Sequence, residues 1–503
     1  MWAHGLFIGN IALLKLNLQQ KQTNNIIMIT FWSQFSSYAL NTILILFLTR
    51  PLIQHGLGYN KSKAYAFIGI SQATGYLMPI LGGYMADTVL GMRRSILIGS
   101  ILLALAYRMV MLSGYTISTH GDHLFLAAYA LVPAANSLLI GTTSAMVSNI
   151  YTDDTVLAKS AMTYYYMAIN VGALFATWLA PELLDSRYGP LSVLALTFFG
   201  KSIAAMNFAY RYSLYDNVIC GLDRLSTSSK SICRLFIYII ILYMFTLFAY
   251  SHIFVCSIII SLGCVIGIAW FIRKTFSLTG VSRYKQSVAG LLIIEAIVFF
   301  VIYNQMNSTL ILFAQSNSNA HLLGFSISPA QYQMLNPLLI IVLGLQLPRL
   351  YRKFPSFTIP YQFACGTLLA GISLLTLVYA ATCADQGLIN GNFIALTYIL
   401  ITLAELWVSA IGLSMIGLYC DNQSLSFSMG AWYLGCSLSS AISGHIAQLV
   451  AINDNVTNPI KSLSIYQNYY LNMGSIACVF GIFMLLIAAG LGRTGKRHGF
   501  ILA

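Results

Sequence analysis

Long apolar stretches with almost no charge are the feature that most constrains this chain. Charged residues make up 8% of its 503 residues and hydrophobic residues 58%, whereas a soluble protein carries about 25% charged residues. Such a chain covers its surface only where lipid replaces water, and a helix needs about 20 apolar residues to cross the hydrocarbon. The sequence therefore predicts an all-α membrane protein. Fourteen stretches are candidate spans: 26–49, 64–87, 95–115, 124–148, 160–182, 191–210, 235–250, 252–272, 286–314, 330–348, 357–381, 392–418, 425–451 and 470–491.

The predicted spans form a group of six, a pair and a second group of six. We therefore divide the chain into an N-terminal cytoplasmic or interfacial segment at 1–25, a bundle at 26–213, a linker with two added helices at 214–284, and a second bundle at 285–503. Two bundles joined by a basic segment are typical of secondary transporters that alternate access to a central site.

The Lys and Arg residues predict the orientation. With the N-terminus inside, 19 of the 26 lie in cytoplasmic segments and 5 lie outside, while Arg108 and Lys201 fall within spans. Cytoplasmic loops of membrane proteins concentrate these residues, so both termini are expected in the cytoplasm. The same topology accounts for the net charge of +13 without a nucleic-acid partner.

The nine cysteines and the polar residues show no pattern that favours an enzyme. The sequence has no CxxC pair, His-rich neighbourhood, catalytic triad or phosphate-binding loop. We therefore expect no disulfide, no metal site and no cofactor.

A glycine-rich run with charges closes the second predicted span. Residues 81–94 read LGGYMADTVLGMRR, in which Asp87, Arg93 and Arg94 stand at the predicted cytoplasmic mouth. Glycines permit close helix packing, and a charge pair at this position would latch one conformation. The run resembles the loop between helices 2 and 3 of the major facilitator superfamily, in its oligopeptide-transporter form.

Further runs resemble the proton-dependent oligopeptide transporter (POT) family in the same order along the chain. They are YYYMAINVG at 164–172, YNQM at 303–306, QYQMLNP at 331–337, LAELWVSAIGLSM at 403–415 and MGAWYL at 429–434. The likeness extends from about residue 26 to 490 and is greatest to bacterial di- and tripeptide permeases. It implies the major facilitator fold, symport of small peptides with protons, and a place in the inner membrane; we expect a monomer.

Glu405 is the acidic residue near the middle of a span in the second predicted bundle. A carboxylate at that depth costs roughly 3 kcal/mol or more, so it usually faces a partner, a cavity or a proton path; the alternative is a neutral, hydrogen-bonded acid without a role. Ser409 follows one helical turn later on the same face. Asn336 precedes Pro337, whose missing N–H breaks the helix locally.

The resemblance assigns roles to these residues. It implies that Glu405 and Asn336 receive the amino group of a substrate and that Asn170 holds its peptide backbone; interhelical bonding is the alternative for both asparagines. Gln305, Tyr38 and Trp432 either line the cavity or pack between helices. Glu405 and Glu295 are the candidates for proton coupling, with pairing to a cation the alternative for Glu295.

The first predicted span departs from the family. Members typically read E-x-x-E-R-F-x-Y-Y-G-x-R there, but this chain has Thr30, Ser33, Gln34 and Asn41 in place of the two carboxylates and the two cations, and Met146 in place of a helix 4 lysine. Thr30, Gln34, Ser37 and Asn41 still follow one helical stripe, which predicts a wet but uncharged cavity wall with Gln34 and Asn41 as substrate contacts.

The two cations within spans have two interpretations. Snorkelling, or pairing beside the two added helices, is the favoured one for Arg108 and Lys201. A compensating role in coupling is the other.

The sequence thus predicts a transporter of small peptides or of related solutes that bear an amine and an amide. The alternatives are a transporter-derived sensor that binds without turnover, and a uniporter or exchanger of a non-peptide amine.

Overall fold

A computed structural model provides the fold. It describes residues 2–152, 154–218, 221–224, 228–344, 346–354, 356–421, 425–451, 458–497 and 502. Within helices, only the backbone is described for residues 2–15, 118, 120, 155, 221, 224, 348, 350, 426, 496 and 497.

The described chain is almost entirely helical, as the sequence predicts. Its one hairpin pairs β1 (His321–Leu322) with β2 (Phe325–Ser326) in antiparallel fashion. The α-helices are α1 (Trp2–Thr49), α2 (Lys61–Met85), α3 (Met92–His120), α4 (His123–Tyr129), α5 (Leu131–Ile150), α6 (Thr155–Leu184), α7 (Gly189–Tyr210), α8 (Gly221–Arg224), α9 (Ser229–Ser251), α10 (Ile253–Phe276), α11 (Gly280–Tyr303), α12 (Thr309–Asn317), α13 (Leu335–Gly344), α14 (Leu347–Lys353), α15 (Ile359–Thr382), α16 (Gly391–Tyr419), α17 (Leu425–Gln448) and α18 (Pro459–Arg497).

Eleven helical segments of the described chain are long and apolar enough to cross a membrane. They are α1 from Leu16, α3, the segment from α4 to α5, α6, α7, α9, α10, α11, α15, α16 and α18, and each overlaps a predicted span. Three predicted spans are not among the eleven. The span 64–87 coincides with α2, and the span 425–451 coincides with α17. The span 330–348 coincides with α13, α14 and the 3₁₀ helix before them. The total of fourteen spans therefore stays a prediction.

The backbone packs as two compact units. Unit 1 comprises Met1–Leu40, Met78–Ala176 and Pro190–Leu247, and unit 2 comprises Asn41–Leu77, Thr177–Gly189 and Phe248–Ala503. Helices α1, α2, α6, α7 and α9 contribute residues to both, α7 only through Gly189.

In unit 1, the segment after α7 is attached to the first helix. The Tyr215 hydroxyl, from the 3₁₀ helix Tyr212–Tyr215, donates to Asn25 Oδ1 at 2.6 Å and to the Gln22 carbonyl at 3.1 Å. Gln22 in turn donates to the Leu214 carbonyl at 2.7 Å. These hydrogen bonds attach residues 22–25 of α1 to the segment 212–217.

In unit 2, the first part of α2 packs closely on α17. A Cβ built on Gly69 would lie 2.7 Å from Gly444 Cα and 2.9 Å from the Ser440 carbonyl oxygen. Ser437 Oγ donates to the Ala73 carbonyl at 2.9 Å along the same contact. Only glycines allow the two backbones to come so near, as in the small-residue helix contacts of membrane proteins.

This contact makes a first prediction. The substitution Gly69→Val should destabilise the purified protein by about 1–3 kcal/mol, because the new side chain overlaps backbone atoms that cannot move aside. Gly75→Val on the same helix is the matched control, since a Cβ there meets no atom within 4 Å. Thermal unfolding of both variants in detergent measures the difference, and equal melting temperatures would contradict the close packing at Gly69.

Candidate functional site

Glu405 of α16 is the centre of a polar cluster inside unit 2. Its Oε1 accepts a hydrogen bond from the Tyr303 hydroxyl at 3.0 Å, and its Oε2 accepts one from Asn336 Nδ2 at 2.5 Å. Asn336 Nδ2 also donates to Thr402 Oγ1 at 3.1 Å. Both Glu405 and Asn336 are partly exposed. The structure thus brings together the two residues that the sequence assigned to an amine.

Local backbone geometry explains how Asn336 reaches this cluster. A 3₁₀ helix, Pro329–Met334, begins at a capping box formed by Ser328 and Gln331, and α13 starts immediately after it at Leu335. Pro337 has no N–H and therefore cannot donate the helical hydrogen bond to the carbonyl four residues earlier. The break expected at Pro337 therefore appears as a 3₁₀-to-α junction, and Asn336 lies on it.

The electrostatics of the cluster favour a cation. An ionised carboxylate offers about four acceptor positions, and neutral donors occupy two of them here. No Lys, Arg or His of the described residues forms an ion pair with Glu405. A substrate ammonium would supply both the missing charge and charge-assisted hydrogen bonds.

Gln305 and Trp432 are held by packing in this structure. The Gln305 amide donates to the Val301 carbonyl and to Ser443 Oγ, and its oxygen accepts from Thr309 and Tyr469, all at 2.8–2.9 Å. Trp432 is buried, with edge contacts to the rings of Phe300 and Phe363. Gln305 thus has no free hydrogen-bonding group to offer a solute, whereas Ser409 is partly exposed one turn after Glu405.

Glu295 is fully buried on α11, facing α15. Neither of its carboxyl oxygens has a hydrogen-bond partner among the described residues, and the buried hydroxyl of Thr367, a neighbour on α15, is also without one. No cation in the described chain pairs with it. The described residues thus give no support to the pairing alternative for Glu295, and an ionised carboxylate would be uncompensated there.

The polar stripe on α1 is buried at one end and open at the other. Thr30 is buried, Gln34 and Ser37 are partly exposed, and Tyr38 and Asn41 are exposed. Exposure on this face therefore begins at Gln34, and a cavity wall here stays a prediction. Asn170 of α6 is buried in unit 1, where its Nδ2 donates to the Tyr166 carbonyl one turn back at 3.0 Å.

The favoured interpretation of Lys201 is wrong. Lys201 lies on α7 in unit 1 with 2% of its surface exposed, so it neither snorkels nor pairs beside the added helices. Its ammonium donates to the Ser33 carbonyl at 2.7 Å, Ser33 Oγ at 2.9 Å and Ser37 Oγ at 2.7 Å, and it stands 5.2 Å from the centre of the Tyr107 ring. The cause is helix packing: α7 faces the side of α1 that carries Ser33, which stands in place of a family carboxylate, and Ser37. Arg108, in contrast, is exposed.

The predicted latch also has different partners. Asp87 is exposed and forms no ion pair within the described part of the chain, whereas Arg93 pairs with Asp216 and lies over the Tyr212 ring at 4.2 Å. Arg94 donates to the carbonyls of Leu222 and Asp223 at 3.3 and 3.2 Å.

The turn before α3 explains the change of partner. Gly91 has a φ of 83°, and a Cβ on it would lie 2.3 Å from Asp223 Oδ1. The glycine therefore lets Asp223 approach the start of α3, where its Oδ2 accepts from the Arg93 N–H at 3.4 Å. The two arginines hold the chain after α7 rather than Asp87.

Comparison with known proteins identifies the family. A family model described as "PTR2: POT family" matches residues 93–465. The chain belongs to the POT family. It is a membrane transporter and not an enzyme, which confirms the resemblance seen in the sequence.

Relatives and solved structures match along almost the whole chain. "Dipeptide and tripeptide permease A" of Chromobacterium violaceum is 31% identical over 477 residues, which cover 94% of each protein. The protein of the same name from Pectobacterium carotovorum subsp. carotovorum is 30% identical over 94% of this chain and 92% of its own length. The crystal structure of tetrameric PepTSo2 has a TM-score of 0.83 at 24% identity, covering 95% of this chain and 99% of that one. A structure described as a bacterial homologue of the human drug peptide transporters PepT1 and PepT2 has a TM-score of 0.81 at 23% identity, with the same coverage. These structures show the major facilitator fold.

Sequence reasoning missed two residues of the Glu405 cluster, Thr402 and Tyr303, and the partners of Lys201. Thr402 could have been inferred from the sequence, because it lies three positions before Glu405 and so shares its helical face. Tyr303 lies in a run that resembles the family, but nothing in the sequence shows that its hydroxyl points to Glu405. Lys201 was noticed without its partners, since no pattern in one sequence reveals which helix α7 packs against.

Proposed function

We propose that this POT family member carries small peptides, or related solutes with a cationic amine and an amide, across the bacterial inner membrane by alternating access. The observation that supports it best is the Glu405 carboxylate, which accepts bonds from Tyr303 and Asn336 but has no cation in the described structure. In this proposal the substrate ammonium occupies the remaining acceptor positions. Ser409 lies beside it on the same helical face.

The class of solute follows from the relatives. The two relatives described above are named dipeptide and tripeptide permeases, and they match over nearly their full length. A peptide has an ammonium at one end and amides along its backbone. We assign the ammonium to Glu405 and Asn336, and the amides to Asn170, Gln34, Asn41 and Tyr38.

Coupling to protons would differ from the family pattern. Thr30 and Ser33 carry no titratable group in place of the usual helix 1 carboxylates. We therefore propose that Glu405 or Glu295 carries the proton. Glu295 is suited because its carboxyl is fully buried and pairs with no cation among the described residues, so it is accommodated best as the neutral acid.

The remaining sequence expectations belong to the same proposal. The bundles at 26–213 and 285–503 would alternate access as a monomer with both termini in the cytoplasm, and Arg93 and Arg94 would take part in a cytoplasmic latch through the 212–223 segment. One structural relative is described as a tetramer, so the oligomeric state is a point to measure.

Uptake into liposomes tests the proposal. Purified protein should take up a labelled dipeptide faster when the outside is acidified than without a gradient, whereas protein-free liposomes should not. Saturable uptake at a rate that does not change with the proton gradient would show uniport or exchange and would contradict symport. The absence of any dipeptide uptake in either condition would overturn peptide transport.

A sensor that binds without turnover is the second candidate. It is favoured by the loss of charge at Thr30, Ser33, Gln34 and Met146. It predicts saturable dipeptide binding to the purified protein together with no flux in liposomes, and measurable flux would exclude it.

A further inference from the structure

A cavity in unit 2 lies apart from the Glu405 cluster, at the end of α13 and α14. It has a volume of about 330 Å³, roughly ten water volumes, and five of its eight lining residues are apolar. These are four leucines and Trp407. The other three are Gln346, Arg349 and Lys353, all exposed.

The cavity is on the opposite side of α16 from the proposed amine site. Leu403, Leu406 and Trp407 line it, and at 100° per residue they stand between about 100° and 200° around the helix from Glu405. Leu343 lines it from α13, two turns after Asn336. An occupant would therefore touch both helices that hold the Glu405–Asn336 pair without entering the substrate position.

The charges of this cavity suit an anionic partner. Arg349 and Lys353 follow one another at a one-turn spacing on α14, and no described carboxylate forms an ion pair with either of them. Exposed apolar side chains on α13 (Leu338 and Val342) and directly after α14 (Phe354) fit a face that adjoins lipid. Basic pockets between transmembrane helices at such a boundary suit the phosphate of a lipid headgroup.

We propose that the cavity formed by the ends of α13 and α14 with α16 binds an anionic phospholipid. The phosphate lies between Arg349 and Lys353, and the first part of an acyl chain follows the leucines and Trp407. A free phosphate ion would use the two cations but leave the apolar wall uncovered, so the lipid is the better fit. The bound lipid supports the packing of α13 on α16.

The test measures lipid binding to the purified full chain. Native mass spectrometry and thermal unfolding in detergent should show that phosphatidylglycerol is retained and raises the melting temperature, whereas phosphatidylcholine with the same acyl chains does so much less. The double substitution Arg349→Gln with Lys353→Gln should weaken phosphatidylglycerol binding about thirty-fold, since each cation near a membrane surface contributes about 1 kcal/mol. Arg273→Gln with Lys274→Gln is the matched control, because these two exposed cations end α10 and do not line the cavity.

A second variant keeps the proposal falsifiable if the charge variant is unstable. Leu347→Trp fills the cavity but leaves both cations, and it should also displace the lipid. Equal binding of phosphatidylglycerol and phosphatidylcholine, equal loss in the two charge variants, or full stabilisation by inorganic phosphate alone would each overturn the proposal. None of these readouts depends on transport, so they are independent of the proposed function.

Discussion

Glu405→Gln is expected to reduce the uptake of an unmodified dipeptide by about 100-fold. Glutamine preserves the volume of the side chain and an oxygen for the Tyr303 hydroxyl, but it removes the charge that would pair with the substrate ammonium. Removing one partner from a hydrogen-bonded charge pair costs about 2–5 kcal/mol, which corresponds to a loss of this size. The measurement is the initial rate of uptake into liposomes over a range of dipeptide concentrations.

Two controls separate the amine site from general damage. Glu182→Gln makes the same chemical change at an exposed glutamate of unit 2, which also accepts a hydrogen bond from an amide, Gln331 Nε2, at 2.8 Å. It should leave dipeptide uptake within about two-fold of the unmodified protein, since surface changes rarely exceed 0.5 kcal/mol. An N-acetylated dipeptide, which lacks the ammonium, should be a poor substrate of the unmodified protein and should lose little further in Glu405→Gln. If both glutamate variants transport the dipeptide equally well, Glu405 does not hold the ammonium.

The cluster at Glu405 was largely predictable from the sequence. A carboxylate in the middle of an apolar span usually faces a partner, a cavity or a proton path, and an Asn–Pro pair marks a helix break that exposes polar groups. These two arguments mark Glu405 and Asn336 as candidates, and the resemblance to the family is what assigned both of them to an amine. Tyr303 could not be placed in the same way, because its direction depends on how α11 packs against α16.

The charges on α3 and α7 show why such inference fails elsewhere. Asp87 and the two arginines are close in sequence, which favours a local pair, but the structure joins Arg93 to Asp216, 123 positions away. Likewise Lys201 bonds to Ser33 across 168 positions. Tertiary packing determines which charged and polar groups meet, and a single sequence does not show directly how the helices pack.

Lys201 allows a test of how the chain accommodates a buried charge. Substituting both Ser33 and Ser37 by alanine removes two of the three hydrogen bonds to the ammonium and leaves the charge partly unsatisfied in a buried site. Hydrogen bonds to charged groups contribute about 1.5–3 kcal/mol each, so the double variant should be destabilised by about 3 kcal/mol or more. Lys201→Met should cost much less, about 1 kcal/mol, because replacing a buried ion by an apolar side chain of similar volume is often nearly neutral.

The decisive variant combines the three substitutions. If the cost of losing the serines is the unsatisfied charge, adding Lys201→Met to the double serine variant should restore stability to about that of Lys201→Met alone. Ser36→Ala is the matched control on α1, because its hydroxyl donates to the Trp32 carbonyl at 3.0 Å and has no bond to Lys201 among the described contacts. Thermal unfolding in detergent gives all four values. A triple variant that remains as unstable as the double variant would show that the serines stabilise α1 itself, and that the ammonium does not depend on them.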